Sequence, residues 1–165
     1  MSTQQPADLR VARYDEPEIL VLIDELAEEE RRRYGDGDTL VHEPESYVAP
    51  HGGFLAALRD GRPVACAGYR PIGDGVVELK RMYVQPGSRG RGLARRLLTA
   101  VEEGAAAQGA RAIRLETGLP QPEAVALYET SGYTRIPGYG EWADHPLTVC
   151  MEKGLIPSAP GSAGG

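Results

Sequence analysis

The sequence has few cysteines, and neither has the partners that a metal site would need. Cys66 and Cys150 have no CxxC partner and no histidine at metal-ligand spacing. Zinc and dithiol redox chemistry therefore have no support in the sequence, and no metal is expected. Both cysteines lie in apolar, strand-like runs, where a free cysteine usually behaves as a small buried hydrophobe.

The sequence also lacks a membrane segment and an excess of positive charge. No run approaches the roughly 20 apolar residues of a membrane helix, and the first residues lack the basic and apolar regions of an export signal. The formal net charge of −6 disfavours general nucleic-acid binding, so any anion site must be local. We expect a cytoplasmic protein with no membrane or nucleic-acid partner.

Length and composition fit one globular domain. The chain has 165 residues, of which 41% are hydrophobic and 25% charged, as in ordinary folded domains. We expect this domain to span residues 1–153. Residues 154–165 are small and polar, which predicts a disordered tail.

Hydrophobic periodicity predicts seven strands and three helices, in which three strands lie between the first and the second helix. Strands are predicted at residues 9–14, 54–59, 63–69, 76–84, 111–116, 133–136 and 147–152, and helices at 18–34, 93–108 and 122–130. Asp60-Gly61 marks a tight hairpin turn between the second and third strands. Residues 35–53 form an irregular connection, long enough to be a candidate substrate loop.

A turn rich in glycine and arginine, Arg89-Gly90-Arg91-Gly92, lies between the strand ending at Val84 and an amphipathic helix. A helix N-terminus attracts anions, and glycines let a phosphate approach the backbone closely. The turn therefore predicts a phosphate site, with a plain strand-to-helix turn as the alternative. A Rossmann fingerprint would follow the first strand, and the Gly-Lys-Ser/Thr of a Walker loop is absent.

Two motifs resemble those of the GCN5-related N-acetyltransferases (GNAT). Their cofactor motif, Gln/Arg-x-x-Gly-x-Gly/Ala, is matched by Arg89-Gly90-Arg91-Gly92-Leu93-Ala94. Their second motif, near Asn-x-x-Ala-x-x-Leu-Tyr-x-x-x-Gly-Phe, is matched from Gln121 to Tyr133. The resemblance implies an α/β (α+β) fold in one domain. Its sheet would be mixed and mostly antiparallel, with about six to seven strands and helices on both faces.

By this resemblance the co-substrate would be acetyl-CoA. Its pyrophosphate would bind the backbone amides of Arg91, Gly92, Leu93, Ala94 and Arg95, in a turn shaped by Arg89 and Gly90. Its pantetheine arm would pair with the strand backbone of Met82, Tyr83 and Val84. Gln121 stands where the family has asparagine and is a further candidate cofactor contact.

The implied reaction is acetyl transfer to a primary amine by direct attack in a ternary complex. Tyr128 occupies the position of the family's general acid, and Glu78 is the candidate base, acting directly or through water. Strand alternation would place Glu78, Lys80, Met82 and Val84 on one face, so an ion pair with Lys80 is the equal alternative for Glu78. A backbone N–H near Val84 would stabilise the oxyanion.

The acceptor is expected to be a small-molecule amine, with a protein lysine or N-terminus as the alternative. A non-catalytic acyl-CoA-binding regulator and transfer of a larger acyl group also stay open. The two irregular segments supply candidate substrate-binding residues, namely Tyr34, Tyr139, Trp142 and Asp144, with Glu141 and His145 beside them. By analogy with similar proteins, a homodimer could form through the strand ending at Glu152.

Overall fold

The computed structural model of the protein describes residues 7–35 and 44–156. Residues 36–43 of the predicted substrate loop and residues 157–165 of the predicted tail lie outside the described residues. No helix of the described part is long and apolar enough to cross a membrane.

Seven strands and three helices follow one another in the predicted order. The strands are β1 (Asp8–Val11), β2 (Gly53–Arg59), β3 (Arg62–Gly73), β4 (Val76–Val84), β5 (Ala112–Gly118), β6 (Thr134–Ile136) and β7 (Thr148–Gly154). The helices are α1 (Pro17–Tyr34), α2 (Leu93–Ala107) and α3 (Pro122–Thr130). The strands form one sheet in the order β1-β2-β3-β4-β5-β7-β6. Among the strands of the described residues, only the β4–β5 pair is parallel, so the predicted mixed, mostly antiparallel sheet is confirmed.

Helices cover both faces of the sheet, as predicted. On one face, here the α1 face, α1 buries Ile19 and Leu22 beside Phe54 and Cys66. On the other, here the α2 face, α2 buries its stripe of Leu97 and Val101 against the sheet, and α3 adds Tyr128 to the same cluster. The apolar spacing of four residues along α2 is what directs that stripe to one side.

A β-bulge in β4 reverses the alternation that the sequence predicts. Lys80 pairs with Gly68 and Tyr83 with Cys66, so two residues of β4 face one of β3. The bulge contains Arg81, whose φ of 59° lies in the left-handed region. As a result Leu79 packs on the α2 face together with Met82 and Val84. The prediction that Met82 and Val84 share a face with Glu78 and Lys80 was therefore wrong.

Strands β4 and β5 pair only at their beginnings. Their register runs from Val76 with Ala112 to Glu78 with Arg114. Within the described part of the chain, nothing pairs with this edge of β4 beyond Glu78, while β5 continues along β7 as far as Gly118. The two strands therefore separate in the middle of the sheet.

The C-terminal strand and both cysteines complete the core. β7 extends through Gly154, and the Leu155 N–H donates to the Arg111 carbonyl over 2.8 Å, so the sheet continues past the predicted limit at residue 153.

Cys66 and Cys150 are free and buried, as expected. Burial raises the pKa of the Cys66 thiol to about 12, which keeps it protonated.

Candidate active site

A cleft of about 860 Å³ occupies the place where β4 and β5 separate. Its α2 side is formed by the glycine turn, the start of α2 and α3, and its α1 side by the last turns of α1 and the loop before β7. The unpaired edge of β4 and the end of β5 lie between them. The separation of the two strands therefore opens the sheet from one face to the other.

On the α2 side, the glycine turn presents backbone donors to the cleft. Gly90 and Gly92 have φ of 78° and 77°, a conformation that favours glycine. Gly92 is the N-cap of α2, and the first intrahelical bond runs from the Arg96 N–H to the Gly92 carbonyl. The preceding amides, of Leu93, Ala94 and Arg95, have no acceptor within the helix. This arrangement fits a phosphate group.

The three arginines around the turn differ in their positions. Arg89 lines the cleft, where its Nε donates to the Val84 carbonyl over 2.8 Å and its Nη2 donates to Glu29 over 2.9 Å. Arg95 also lines it, with its guanidinium bound to the hydroxyls of Thr130 and Ser131 at the end of α3. All three are exposed, and Arg91 is the one that is not part of the lining.

The remaining predicted cofactor residues also border the cleft. Met82, Tyr83 and Val84 line it along the β4 edge that lacks a neighbouring strand. An added extended chain could pair there with the strand backbone. Gln121, the N-cap residue of α3, lines it too, and its side-chain oxygen accepts a hydrogen bond of 3.1 Å from the Thr117 hydroxyl.

Tyr128 borders the cleft from α3, in an apolar setting. The residue is buried, and its ring packs edge-on against Tyr133 at 5.7 Å between centroids. Burial raises the pKa of the Tyr128 hydroxyl above the ordinary tyrosine value. At neutral pH this hydroxyl therefore carries its proton.

Glu78 lies beside the cleft, outside its lining. Its buried carboxylate accepts a hydrogen bond from Arg70 Nη2 at 3.2 Å, and Lys80 Nζ is 3.6 Å away. Tyr139, a predicted substrate contact, does not line the cleft. Burial and the charge of nearby Glu78 raise the pKa of its hydroxyl. The structure thus places Glu78 in the ion pair with Lys80 that was the alternative to a base.

The α1 side is lined by one face of the last turns of α1 and by part of the loop before β7. Glu30, Arg33 and Tyr34 lie at helical spacing and face the cleft. Tyr34 packs against Gly118, where any side chain would collide with its ring. Trp142 and His145 line the cleft from the loop, with ring centroids 6.0 Å apart.

Two acidic residues of the same loop, Asp144 and Glu141, are exposed and do not line the cleft. The charged residues of the α1 side come instead from regular elements, and sequence reasoning missed them as site residues: Glu29, Glu30 and Arg33 of α1, Lys80 and Arg81 of β4, and Glu116 of β5. One signal was present, since Glu30, Arg33 and the predicted Tyr34 share a helix face. The described residues hold no group of three His, Cys, Asp or Glu that could bind a metal ion.

Sequence comparison identifies relatives of this chain. The sequence profile described as "Acetyltransferase (GNAT) family" matches residues 20–133. An IAA acetyltransferase of Azospirillum brasilense is 41% identical over 103 residues, which make up 62% of this chain and 67% of the relative.

Solved structures share the whole architecture. A Klebsiella pneumoniae structure described as an acyl-CoA N-acyltransferase superposes with a TM-score of 0.77 and 29% identity, over 90% of this chain and 97% of that one. A GNAT family acetyltransferase from Elizabethkingia anophelis, solved with acetyl-CoA bound, gives a TM-score of 0.68 at 14% identity, over 92% and 100% of the two chains. The second likeness concerns the fold alone.

Proposed function

The chain belongs to the acetyltransferase (GNAT) family, and from this premise we propose that it moves an acetyl group from acetyl-CoA to the primary amine of a small molecule. One observation carries the proposal. The amides at the start of α2, the unpaired edge of β4 and the Tyr128 side chain all border one cleft.

The α2 side of the cleft fits a nucleotide thioester. The amides of Gly92, Leu93, Ala94 and Arg95 and the turn at Gly90 would hold the pyrophosphate, and the backbone of Met82, Tyr83 and Val84 would pair with the pantetheine arm. Within this turn, Arg91 lies outside the cleft lining, so only its amide is proposed to take part. The side-chain nitrogen of Gln121 is left to donate, because its oxygen accepts from Thr117. Bound acetyl-CoA would supply the activated acyl group.

Proton transfer is assigned to Tyr128. Its hydroxyl is protonated at neutral pH, since burial raises its pKa, and it can donate to a sulfur leaving group. We propose that the amine attacks directly in a ternary complex and that a backbone N–H near Val84 stabilises the oxyanion. Glu78 as the general base stays a prediction; its ion pairs favour a structural role.

The proposal is tested first by isothermal titration with acetyl-CoA and then by measuring thiol release with a panel of small amines. Binding together with thiol release is the expected result. Binding without release for any small amine would point to a protein acceptor or to a regulatory acyl-CoA sensor. Absence of binding would contradict the proposal as a whole.

A further inference from the structure

The last turns of α1 bring both signs of charge to the α1 side of the cleft. Glu30 and Arg33 are half-buried and line the cleft, whereas Arg31 and Arg32, on the opposite face of the helix, are exposed. Arg33 is 3.6 Å from Glu29, at the long end of the range for an ion pair. Its guanidinium is therefore loosely held and lies beside the cleft.

The two separating strands add further charges on this same side. Leu79 packs on the α2 face, and neighbouring residues of a strand point to opposite faces, so the Lys80 side chain lies on the α1 face. Only 13% of the Lys80 side chain is exposed. Arg81 is on that face as well, because its Nε donates to the Tyr14 hydroxyl over 3.2 Å. Glu116 of β5 brings a carboxylate that approaches Gly140 of the opposing loop.

His145 adds a hydrogen-bond donor, not a base. Its Nδ1 accepts a hydrogen bond of 3.1 Å from the Leu147 N–H, so a neutral imidazole carries its proton on Nε2. The cations that line this side are Arg33, Lys80 and Arg81, and the carboxylates are Glu29, Glu30 and Glu116. Both signs of charge therefore border the space where an acceptor would bind.

We propose that the acceptor is an amine that also carries a carboxylate, as an amino acid does. Glu116 faces the ammonium group, and Arg33 and Lys80 bind the carboxylate. A guanidinium fork and a carboxylate match in shape as well as in charge. This inference rests on the proposed function and narrows its substrate class.

The test measures kcat/KM by thiol release for each amino acid of a panel and for its carboxamide, which keeps the amine and the side chain but loses the charge. The amine of the carboxamide is less basic, so intrinsic reactivity favours the amide. A preference for the acid therefore reports recognition. We expect a preference of about tenfold or more, the range of a charge-assisted hydrogen bond.

Variants then assign the preference to residues. Arg33→Gln and Lys80→Met are each expected to reduce the acid-to-amide ratio several-fold. Arg32→Gln, on the exposed face of the same helix, is expected to leave it unchanged. Thermal unfolding of each variant separates loss of recognition from loss of folding.

The outcomes distinguish the two proposals. Equal or better use of the carboxamide, or an acid preference that survives both variants, would overturn the carboxylate assignment while acetyl transfer stands. If no amine of either set releases thiol although acetyl-CoA binds, small-molecule transfer fails and this inference fails with it.

Discussion

The two sides of the cleft are built in different ways. The α2 side uses the backbone of one short stretch, Gly90 to Arg95, together with the adjoining end of β4. The α1 side uses side chains from α1, β4, β5 and the loop before β7, which lie far apart in sequence. A site made of consecutive amides depends on local conformation, whereas a site made of distant side chains depends on how the elements pack.

The largest effect is expected from a change of backbone conformation on the α2 side. Gly92→Val puts a β-branched residue at a φ of 77°, which costs about 1–2 kcal/mol and disturbs the amides at the start of α2. We expect acetyl-CoA affinity, measured by titration calorimetry, to fall about 100-fold or more. Gly87→Ala is the control, because Gly87 lies outside the cleft lining and has open space around it.

The next largest effect should come from Tyr128, the proposed proton donor on the α2 side. Tyr128→Phe is expected to lower kcat by about 100-fold or more and to leave acetyl-CoA affinity nearly intact. Tyr133→Phe is the matched control, since its hydroxyl donates to Glu102, outside the cleft. Normal turnover by Tyr128→Phe would refute the assignment.

The pH profile gives a second check on Tyr128. Its folded pKa is raised above the ordinary value of about 10, so its proton is retained as pH rises to that value. We therefore expect that deprotonation of Tyr128 causes no fall in kcat between pH 7 and 10. The pH profiles of the unmodified protein and of Tyr128→Phe should have the same shape over this range. A Tyr128-dependent decline below pH 10 would contradict this protonation state.

Variants of two carboxylates on the α1 face, Glu78 and Glu116, distinguish a charge that stabilises the fold from a charge proposed to bind the amine. Glu78→Gln weakens a buried ion pair and is expected to reduce the free energy of unfolding by about 1–3 kcal/mol while kcat changes little. Glu116→Gln is expected to raise KM for the amine about tenfold. Denaturant unfolding and steady-state kinetics on both variants make the comparison. A large fall in kcat for Glu78→Gln alone would restore it as the base.

The smallest effect is expected where the two sides are joined. Arg89 connects α1 to the end of β4 through Glu29 and the Val84 carbonyl. Because its side chain is 40% exposed, Arg89→Gln should lower the free energy of unfolding by only about 0.2–1 kcal/mol. Thermal unfolding checks this value. A large loss of stability would show that the sides are coupled more strongly than these contacts indicate.

The order of elements and the glycine turn could be predicted because their signals are local. Each of these signals involves a few neighbouring positions. They are the apolar residues of α2 at a spacing of four, the Asp60-Gly61 hairpin turn, and the glycines Gly90 and Gly92. The α1 side could not be predicted in the same way. The loop before β7 has an acidic and aromatic composition, yet it lines the cleft with Trp142, His145 and Leu147, and the charges come from elements elsewhere in the chain.

The sequence by itself determined the order of the elements and the conformation of the glycine turn, because hydrophobic period and glycine spacing act over neighbouring positions. The family and the mixed sheet followed from the resemblance of two motifs. Only the tertiary structure decided which side chains meet in the cleft. The bulge at Arg81 has no glycine or other local signal, and yet it moves Met82 and Val84 to the α2 face. Glu78 is likewise held away from the cleft by Arg70 and Lys80, because buried charges must be paired across neighbouring strands.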